Sequence, residues 1–261
     1  MDLHLTGRTA LVTGASKGIG LAVVRSLVAE GARVVAGART LSPDLATLAA
    51  EGSVEFVSVD LATPAGPDTL VNRAAEHGGV DILVNNVGAV SPRPDGFVNV
   101  TDEDWQRTIT LTLLAAVRTI RGVIPEMIRR GRGSVITISS VNAALPDPLV
   151  IDYSAAKAAL SNFSKALSKE VGGFGIRVNT ISPGPVETGL WLGAHGVAAT
   201  VAEATGRPPA EIAADAAAAS VTGRFTRPQE VADLVAVMAS DRFGNLTGAD
   251  FRIDGGLIQT M

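Results

Sequence analysis

The sequence contains no cysteine among its 261 residues, and this absence excludes disulfide frameworks, thiolate zinc sites and cysteine nucleophiles together. Histidine is scarce as well, and three scattered residues do not make a structural metal cluster, so no metal is expected. Aromatic residues make up only 4% of the chain, and we therefore expect an aliphatic core. A net charge of −4 argues against nucleic acid as a main partner.

Long uncharged segments are lacking too. No run of about 18 consecutive uncharged apolar residues occurs, as a transmembrane helix requires. The first four residues lack the basic start and apolar run of a signal peptide. With 46% hydrophobic and 18% charged residues, the composition is that of a globular protein. These features predict a soluble cytoplasmic protein without a membrane partner, folded as one domain over residues 1–261.

Short aliphatic runs alternate with longer amphipathic stretches along the chain. This alternation implies right-handed βαβ crossovers, and the continuous apolar strands imply a parallel sheet covered on both faces. We therefore predict an α/β fold, a doubly wound parallel β-sheet of about seven strands (a Rossmann fold) with helices on both faces. The predicted strands are 9–13, 34–36, 54–59, 81–84, 133–139, 176–181 and 250–253. The predicted helices are 18–30, 43–50, 64–77, 101–130 (with a kink near Pro125), 152–171 and 229–239.

Residues 189–227 break the alternation, because they contain helical pieces and no strand. We interpret this stretch as an insertion that covers the carboxyl edge of the sheet. Ligands of doubly wound folds bind at that edge. The insertion is therefore expected to form part of a substrate site.

A glycine-rich loop joins the first strand to the first helix. Its sequence is Gly14-Ala15-Ser16-Lys17-Gly18-Ile19-Gly20. Its three glycines permit a tight turn and close approach of the backbone to a phosphate, and the helix N-terminus supplies free N–H groups. A P-loop is excluded, because Lys17 is followed by Gly18 where Ser or Thr is required. The alternatives are a dinucleotide-binding loop and a plain glycine-rich turn.

The spacing of these glycines, GxxxGxG, resembles that of the short-chain dehydrogenase/reductase family, and the branch it resembles is that of the 3-oxoacyl-carrier-protein reductases. The resemblance extends from about residue 5 to residue 257, which is nearly the whole chain. It implies an oxidoreductase of the ketoreductase type that uses a nicotinamide cofactor. The other motifs that carry the resemblance are Asn85-Asn86-Val87-Gly88, Ser140 with Tyr153-Ser154-Ala155-Ala156-Lys157, Pro183-Gly184-Pro185-Val186-Glu187-Thr188 and Asp254-Gly255-Gly256.

Tyr153 is the only tyrosine of the chain, and Lys157 lies one helical turn later on the same face. A nearby ammonium favours the phenolate and lowers the pKa of a tyrosine, so Tyr153 is a candidate general acid or base. Ser140 ends the preceding strand, and its hydroxyl could bind the substrate oxygen. Ser139 competes for this role, and the gap of 13 residues usual in the family selects Ser140.

Thr112 departs from the family pattern, which places an asparagine seven residues after an aromatic residue, here Trp105. By resemblance, that asparagine positions a water that links the lysine to solvent. A threonine hydroxyl can bond to backbone carbonyls but cannot supply both an amide donor and an acceptor. Thr112 therefore implies a modified proton relay, and the alternative is that it is an ordinary buried helix residue.

The residue after the second strand discriminates between the two nicotinamide cofactors. Ala38 occupies the place of the aspartate found in NAD-preferring members, and Arg39 and Thr40 follow. Together with Lys17, Arg39 would complement a 2′-phosphate, so we expect NADP(H) to be preferred over NAD(H).

Other cofactor contacts are implied by the resemblance alone. Asp60 would bind the adenine amino group and Leu61 would line the adenine pocket. Asn86 and Gly88 would lie along the adenosine ribose and diphosphate. Tyr153 and Lys157 would bond to the nicotinamide ribose. The remaining cofactor-binding positions are Gly14, Ser16, Gly18, Ile19, Gly20, Pro183, Gly184, Val186 and Thr188, of which the last two would hold the carboxamide.

The predicted substrate is a small, largely apolar carbonyl compound or secondary alcohol, held between residues 89–97, 141–152 and 188–220. Three alternatives remain open: an NADP(H)-binding sensor, motivated by Thr112; a methyltransferase with a similar glycine loop; and a reductase of carrier-bound substrates. Arg129, Arg130 and Arg132 are the basic run available to a carrier, and we interpret them as solvated. By resemblance, the helices 101–130 and 152–171 would assemble a homotetramer.

Overall fold

The computed structural model describes residues 1–260, and its centre is a seven-stranded sheet in which every neighbouring pair of strands is parallel. This confirms the predicted doubly wound α/β class. The strands are β1 (Thr9–Thr13), β2 (Arg33–Ala38), β3 (Val54–Ser58), β4 (Ile82–Asn85), β5 (Gly133–Ile138), β6 (Ile176–Pro183) and β7 (Asp250–Ile253).

The strand order is β3-β2-β1-β4-β5-β6-β7, so the chain changes direction across the sheet between β1 and β4. In open sheets of this kind the loops diverge at such a switch point and leave a crevice at the carboxyl ends of the strands. The glycine-rich loop follows β1 and the Asn85-Asn86 pair ends β4. The two motifs therefore meet at the crevice.

Of the ten α-helices within residues 1–260, six cover the two faces of the sheet. One apolar cluster packs α1, α2 and α10 against one face, and a second packs α3, α5 and α6 against the other. The helices are α1 (Gly18–Ala29), α2 (Pro43–Ala50), α3 (Gly66–Ala75), α4 (Asp102–Ile109), α5 (Ala115–Arg130), α6 (Ile151–Val171), α7 (Gly189–Leu192), α8 (Val197–Thr205), α9 (Pro209–Ala218) and α10 (Pro228–Ala239).

The long helix predicted over residues 101–130 is interrupted by a π-helical turn, Thr110–Leu114, between α4 and α5. Its irregularity lies there, whereas α5 continues through Pro125. By length and composition, Asp102–Arg130 is also the one candidate membrane span within residues 1–260, and 33% of its most apolar window is buried in the structure. Ala115, Ile120 and Val123 of this helix belong to the core beneath the sheet.

The predicted insertion forms three helices, α7 to α9, and returns to the sheet through a single bridge between Val186 and Thr226. Trp191 of α7 packs edge-on against Phe225, with the ring centroids 5.5 Å apart. Together these contacts fasten both ends of the insertion beside β6.

The amino edge of the sheet carries a buried carboxylate. Asp81, just before β4, accepts the backbone N–H of Thr9 at 3.0 Å and pairs with Arg8, Arg130 and Arg132. The expectation that Arg130 is solvated is therefore wrong, since only 13% of its side chain is exposed. Arg130 instead pairs with the buried carboxylate of Asp81 at the amino edge of the sheet.

Candidate active site

The glycine-rich loop forms a cradle, and glycine is required at three of its positions. Gly14 and Gly18 have φ angles of +65° and +54°, in the left-handed region that favours glycine. A Cβ at Gly20 would overlap the carbonyl of Gly14 and lie 2.6 Å from the Asn86 amide nitrogen. The Lys17 side chain makes no capping hydrogen bond at the start of α1, which leaves the first N–H groups of the helix available. This arrangement fits the diphosphate of a dinucleotide.

Asn86 braces this cradle from β4. Its side-chain amide donates to the carbonyl oxygens of Thr13 and Gly14, at 3.0 and 3.1 Å. Its backbone N–H donates to the Thr13 hydroxyl at 2.9 Å. Resemblance alone placed Asn86 along the adenosine ribose, but in the structure its amide protons are used to hold the shape of the loop.

A cleft of about 380 Å³ opens beside the cradle at the ends of β2 and β3. Asp60 and Arg39, which are predicted to contact the adenine and the 2′-phosphate of the cofactor, both line it. Leu61 does not, because its side chain is buried in the core and its neighbour Ala62 lines the cleft instead. Sequence reasoning missed the remaining lining residues, Glu103, Gln106, Arg107, Thr110 and Leu111.

Those missed residues lie at helical spacing on α4 and the π-helical turn. The amphipathic pattern of the stretch was available in the sequence, but it indicated only a helix over 101–130. Arg39 and Thr40 are exposed just after β2, and Lys17 is exposed in the glycine loop. None of the ion pairs described within residues 1–260 includes Lys17 or Arg39, so both are free to meet an anion.

The opposite wall of the crevice follows β6. Thr188 lies against the glycine loop, since a Cβ at Gly18 would be 3.2 Å from its methyl group. The backbone at Gly184 lies close to that of Asp254. A Cβ at position 184 would be only 3.0 Å from the Asp254 Cα. The Val186 side chain is buried in the core, so only its main chain can face a ligand.

Three predicted catalytic residues meet between β5 and α6. The Lys157 ammonium donates to the carbonyl of Ile138 at 2.7 Å and lies 5.6 Å from the centre of the Tyr153 ring. Gly88 is next to it, since a Cβ there would lie 3.6 Å from the Lys157 nitrogen. Lys157 is buried, at 3% exposure, and Tyr153 is half-buried.

The two serines at the end of β5 have different surroundings. The Ser139 hydroxyl is bonded to that of Ser161 on α6, at 2.6 Å, and is therefore engaged within the protein. The Ser140 hydroxyl donates to the Asn142 side chain at 3.0 Å and accepts the Asn142 N–H at 3.2 Å. It also lies close enough to Tyr153 to influence its ionisation. These contacts support Ser140 over Ser139.

Burial controls the ionisation of the pair on α6. It raises the pKa of Tyr153 to about 12, and the nearby Ser140 hydroxyl acts in the opposite direction. It lowers the pKa of Lys157 to about 8. The shift of Tyr153 is opposite to the one expected from the lysine charge, because desolvation of the phenolate dominates. The phenol is consequently protonated at neutral pH and can act as a proton donor.

Thr112 lies in the π-helical turn and is fully buried, and its hydroxyl has no hydrogen-bond partner within residues 1–260. The same is true of the side-chain amide of Asn85, at the end of β4. Buried polar groups without a protein partner are typical of functional sites and of sites that hold ordered water.

Comparison with known proteins agrees with this geometry. The family model for short chain dehydrogenases matches residues 8–195. The 3-oxoacyl-(acyl-carrier-protein) reductase of Escherichia coli is 34% identical, over 98% of this chain and 99% of its own. A 3-alpha-(or 20-beta)-hydroxysteroid dehydrogenase of Mycobacterium tuberculosis is 35% identical, over 99% and 92%. The crystal structure of L-sorbose reductase from Gluconobacter frateurii, complexed with NADPH and L-sorbose, superposes with a TM-score of 0.90 at 36% identity and covers 100% of both chains.

The protein is therefore an oxidoreductase with the fold of a nicotinamide-dependent dehydrogenase. It belongs to the short chain dehydrogenase family, and its similarity to the 3-oxoacyl-carrier-protein reductases confirms the branch indicated by the motifs.

Proposed function

We propose that this protein is an NADPH-dependent carbonyl reductase, or the corresponding alcohol dehydrogenase in the reverse direction. The observation that carries the proposal is the convergence of Ser140, Tyr153 and Lys157 beside the glycine cradle. A protonated phenol, a hydroxyl and a buried ammonium on rigid elements can bind a carbonyl oxygen and protonate it. The similar proteins named above include a reductase and a dehydrogenase.

When bound, the nicotinamide supplies or accepts the hydride. The chain's own residues handle the oxygen and its proton. Ser140 donates a hydrogen bond to the carbonyl oxygen and polarises it, and Tyr153 gives its phenolic proton to that oxygen as negative charge develops there. The phenolate that remains is stabilised by the Lys157 ammonium and regains a proton from solvent. In the oxidative direction the same residues act in reverse.

Preference for NADPH over NADH is supported by charge. Arg39 and Lys17 are exposed around the predicted 2′-phosphate position, and Ala38 there offers no carboxylate to a ribose hydroxyl. The solved structure of L-sorbose reductase contains NADPH. Both observations favour the phosphorylated cofactor.

The substrate is proposed to be small and largely apolar. Each of the three wall segments carries an exposed apolar side chain, namely Phe97, Leu145 and Leu190. The relatives named above act on a sugar, an acyl chain or a steroid, and these substrates share only a carbonyl or secondary alcohol group. Tyr153 would exchange its proton with the oxygen of this shared group.

We propose a cytoplasmic location from the sequence composition and a homotetramer from the family resemblance. Leu113, Val117, Phe163 and Leu167 on the two long helices are only half-buried in the single chain, so a second copy could cover them. A monomeric mass in light scattering would contradict this assembly.

The test of the function is Tyr153→Phe, which removes the proton donor and keeps the ring. We expect a loss of about 10²- to 10⁴-fold in NADPH-dependent reduction across a panel of ketones. NADPH binding, measured by fluorescence, should be retained. Full turnover in Tyr153→Phe would contradict the mechanism.

A second candidate, an NADP(H)-binding sensor without turnover, is motivated by the unpartnered hydroxyl of Thr112. Tyr153-dependent oxidation of NADPH by any ketone in the panel rejects the sensor. A large gain of activity in Thr112→Asn would show instead an enzyme with a weakened proton relay.

A further inference from the structure

An arginine in the loop after β4 is bonded to the residue that precedes the proposed proton donor. The Arg93 guanidinium donates to the Asp152 carboxylate at 2.7 Å. Asp152 stands in the first turn of α6, directly before Tyr153. Its side chain is 1% exposed and that of Arg93 is 15% exposed, so the ion pair is shielded from solvent.

Two further groups from α4 join this pair. The Thr108 hydroxyl donates to the same oxygen of Asp152 at 2.7 Å. Asp104 pairs with Arg93 at 3.1 Å while also accepting the N–H of Thr101 as part of the capping box that starts α4. One arginine therefore connects the loop, the start of α4 and the start of α6.

The backbone reinforces the connection. The N–H of Arg93 donates to the carbonyl of Leu149 at 2.7 Å, three residues before Asp152. Residues 89–97 and 141–152 are the two walls proposed to flank the substrate. Arg93 thus fastens one wall to the other at the base of the helix that carries Tyr153.

Stability alone does not account for this cluster. A buried ion pair offsets most of its attraction by desolvation, so it is weak evidence of stabilisation. Two of its atoms, Arg93 Nε and Asp152 Oδ1, are buried without a partner, which is a further cost. Burial opposes ionisation of Asp152, yet hydrogen bonds from Arg93 and Thr108 hold its pKa below the usual range. The Asp152 carboxylate therefore stays charged at a buried position, where desolvation makes the charge energetically unfavourable.

We propose that Arg93 is a positioning residue, which through Asp152 sets the place of the Tyr153 hydroxyl relative to the substrate wall. This inference rests on the proposed function, since it assigns Tyr153 the proton transfer. A displacement of about 1 Å in a reacting group can lower turnover by about 10²-fold, and loss of the ion pair frees both the loop and the first turn of α6.

The experiment compares Arg93→Met and Arg93→Lys with the wild type. In Arg93→Met we expect kcat to fall by about 10²-fold, as misplacement of the proton donor would cause, while the KM for NADPH changes by less than about twofold. Arg93→Lys keeps the charge opposite Asp152 and should recover part of the lost kcat. The matched control is Arg25→Met, which removes an exposed ion pair with Asp44 on α2 and should leave kcat unchanged.

The double variant Arg93→Met with Asp152→Asn guards against a folding defect, because it removes the buried charge of Asp152 together with that of Arg93, while Asp104 keeps its ion pair with Arg107. Its melting temperature should return toward that of the wild type. Its kcat should stay at least about tenfold below that of the wild type, because Arg93 no longer connects the two wall segments. A wild-type kcat in either Arg93→Met or the double variant would overturn the proposal. Absence of any Tyr153-dependent turnover in the wild type would instead overturn the proposed function.

Discussion

Two buried carboxylates, each paired with arginine, lie at opposite edges of the sheet and differ in how completely they are satisfied. At the amino edge, both oxygens of Asp81 have partners, and three arginines surround it. At the carboxyl edge, Asp152 keeps one oxygen without a partner, next to Tyr153. The first arrangement is what stability alone favours. The second accepts an energetic cost where the crevice and the candidate catalytic residues are.

The largest effect is expected at the amino edge. Asp81→Asn leaves Arg130 and Arg132 without a countercharge, whereas Arg8 keeps Asp241, and we expect the free energy of unfolding to fall by about 3 kcal/mol. At temperatures where the variant is folded, kcat should stay within about twofold of wild type, since the site is at the other edge. Denaturant unfolding and steady-state kinetics measure the two quantities.

Asp44→Asn serves as the control for that variant, because Asp44 belongs to an exposed ion pair worth about 0–1 kcal/mol. A drop in kcat for Asp81→Asn equal to that of an Asp152 variant would erase the contrast between the two edges.

The next effect concerns the pH dependence at the carboxyl edge. Burial lowers the pKa of Lys157 to about 8, so its ammonium is present below that pH and is lost above it. We expect kcat/KM for NADPH in ketone reduction to decline as the pH rises through about 8, since this parameter reports groups of the free enzyme. Tyr153, with a pKa raised to about 12, remains protonated throughout this range.

Lys157→Met should lower the rate by about 10²-fold and abolish this decline. Lys165→Met is the matched control, because Lys165 is on the same helix but exposed, bonded to the carbonyl of Gly248. If the decline near pH 8 persists in Lys157→Met, another group is responsible for it.

The smallest effect is expected on the choice of cofactor. Arg39→Ala should raise the KM for NADPH by about tenfold, the loss expected for a charge-assisted phosphate contact, and leave the KM for NADH unchanged. Arg33→Ala, at the amino end of the same strand, is the control and should change neither value. Equal changes for NADPH and NADH in Arg39→Ala would contradict recognition of the 2′-phosphate.

Local patterns predicted much of this molecule. The helix Pro43–Ala50 and the strand Thr9–Thr13 have the predicted bounds, because proline at a helix start and a short buried apolar run are local signals. The glycine cradle is another such signal, since its left-handed residues require glycine.

Contacts between distant residues were not predictable in this way. Arg93 and Asp152 are 59 positions apart, and nothing near either residue indicates the other. Its place at the end of the long helix predicts a solvated Arg130, yet this side chain reaches Asp81, 49 positions earlier. The π-helical turn was not predicted either, since the pattern indicates one continuous helix over 101–130. Leu61 was assigned to the cofactor by resemblance, although its side chain belongs to the core.

The π-helical turn also sets the rotational phase of the long helix. A π turn adds one residue to an α-helix, and each residue advances the helix by roughly 100°. Gln106 and Arg107, before the turn, therefore face the cleft at the ends of β2 and β3, while Ala115 and Ile120, after it, face the sheet. Deleting a single residue from Thr110–Leu114 would keep the helix continuous yet turn its first half away from the cleft. One inserted residue thus allows a single helix to contribute both to the core and to the wall of the cleft.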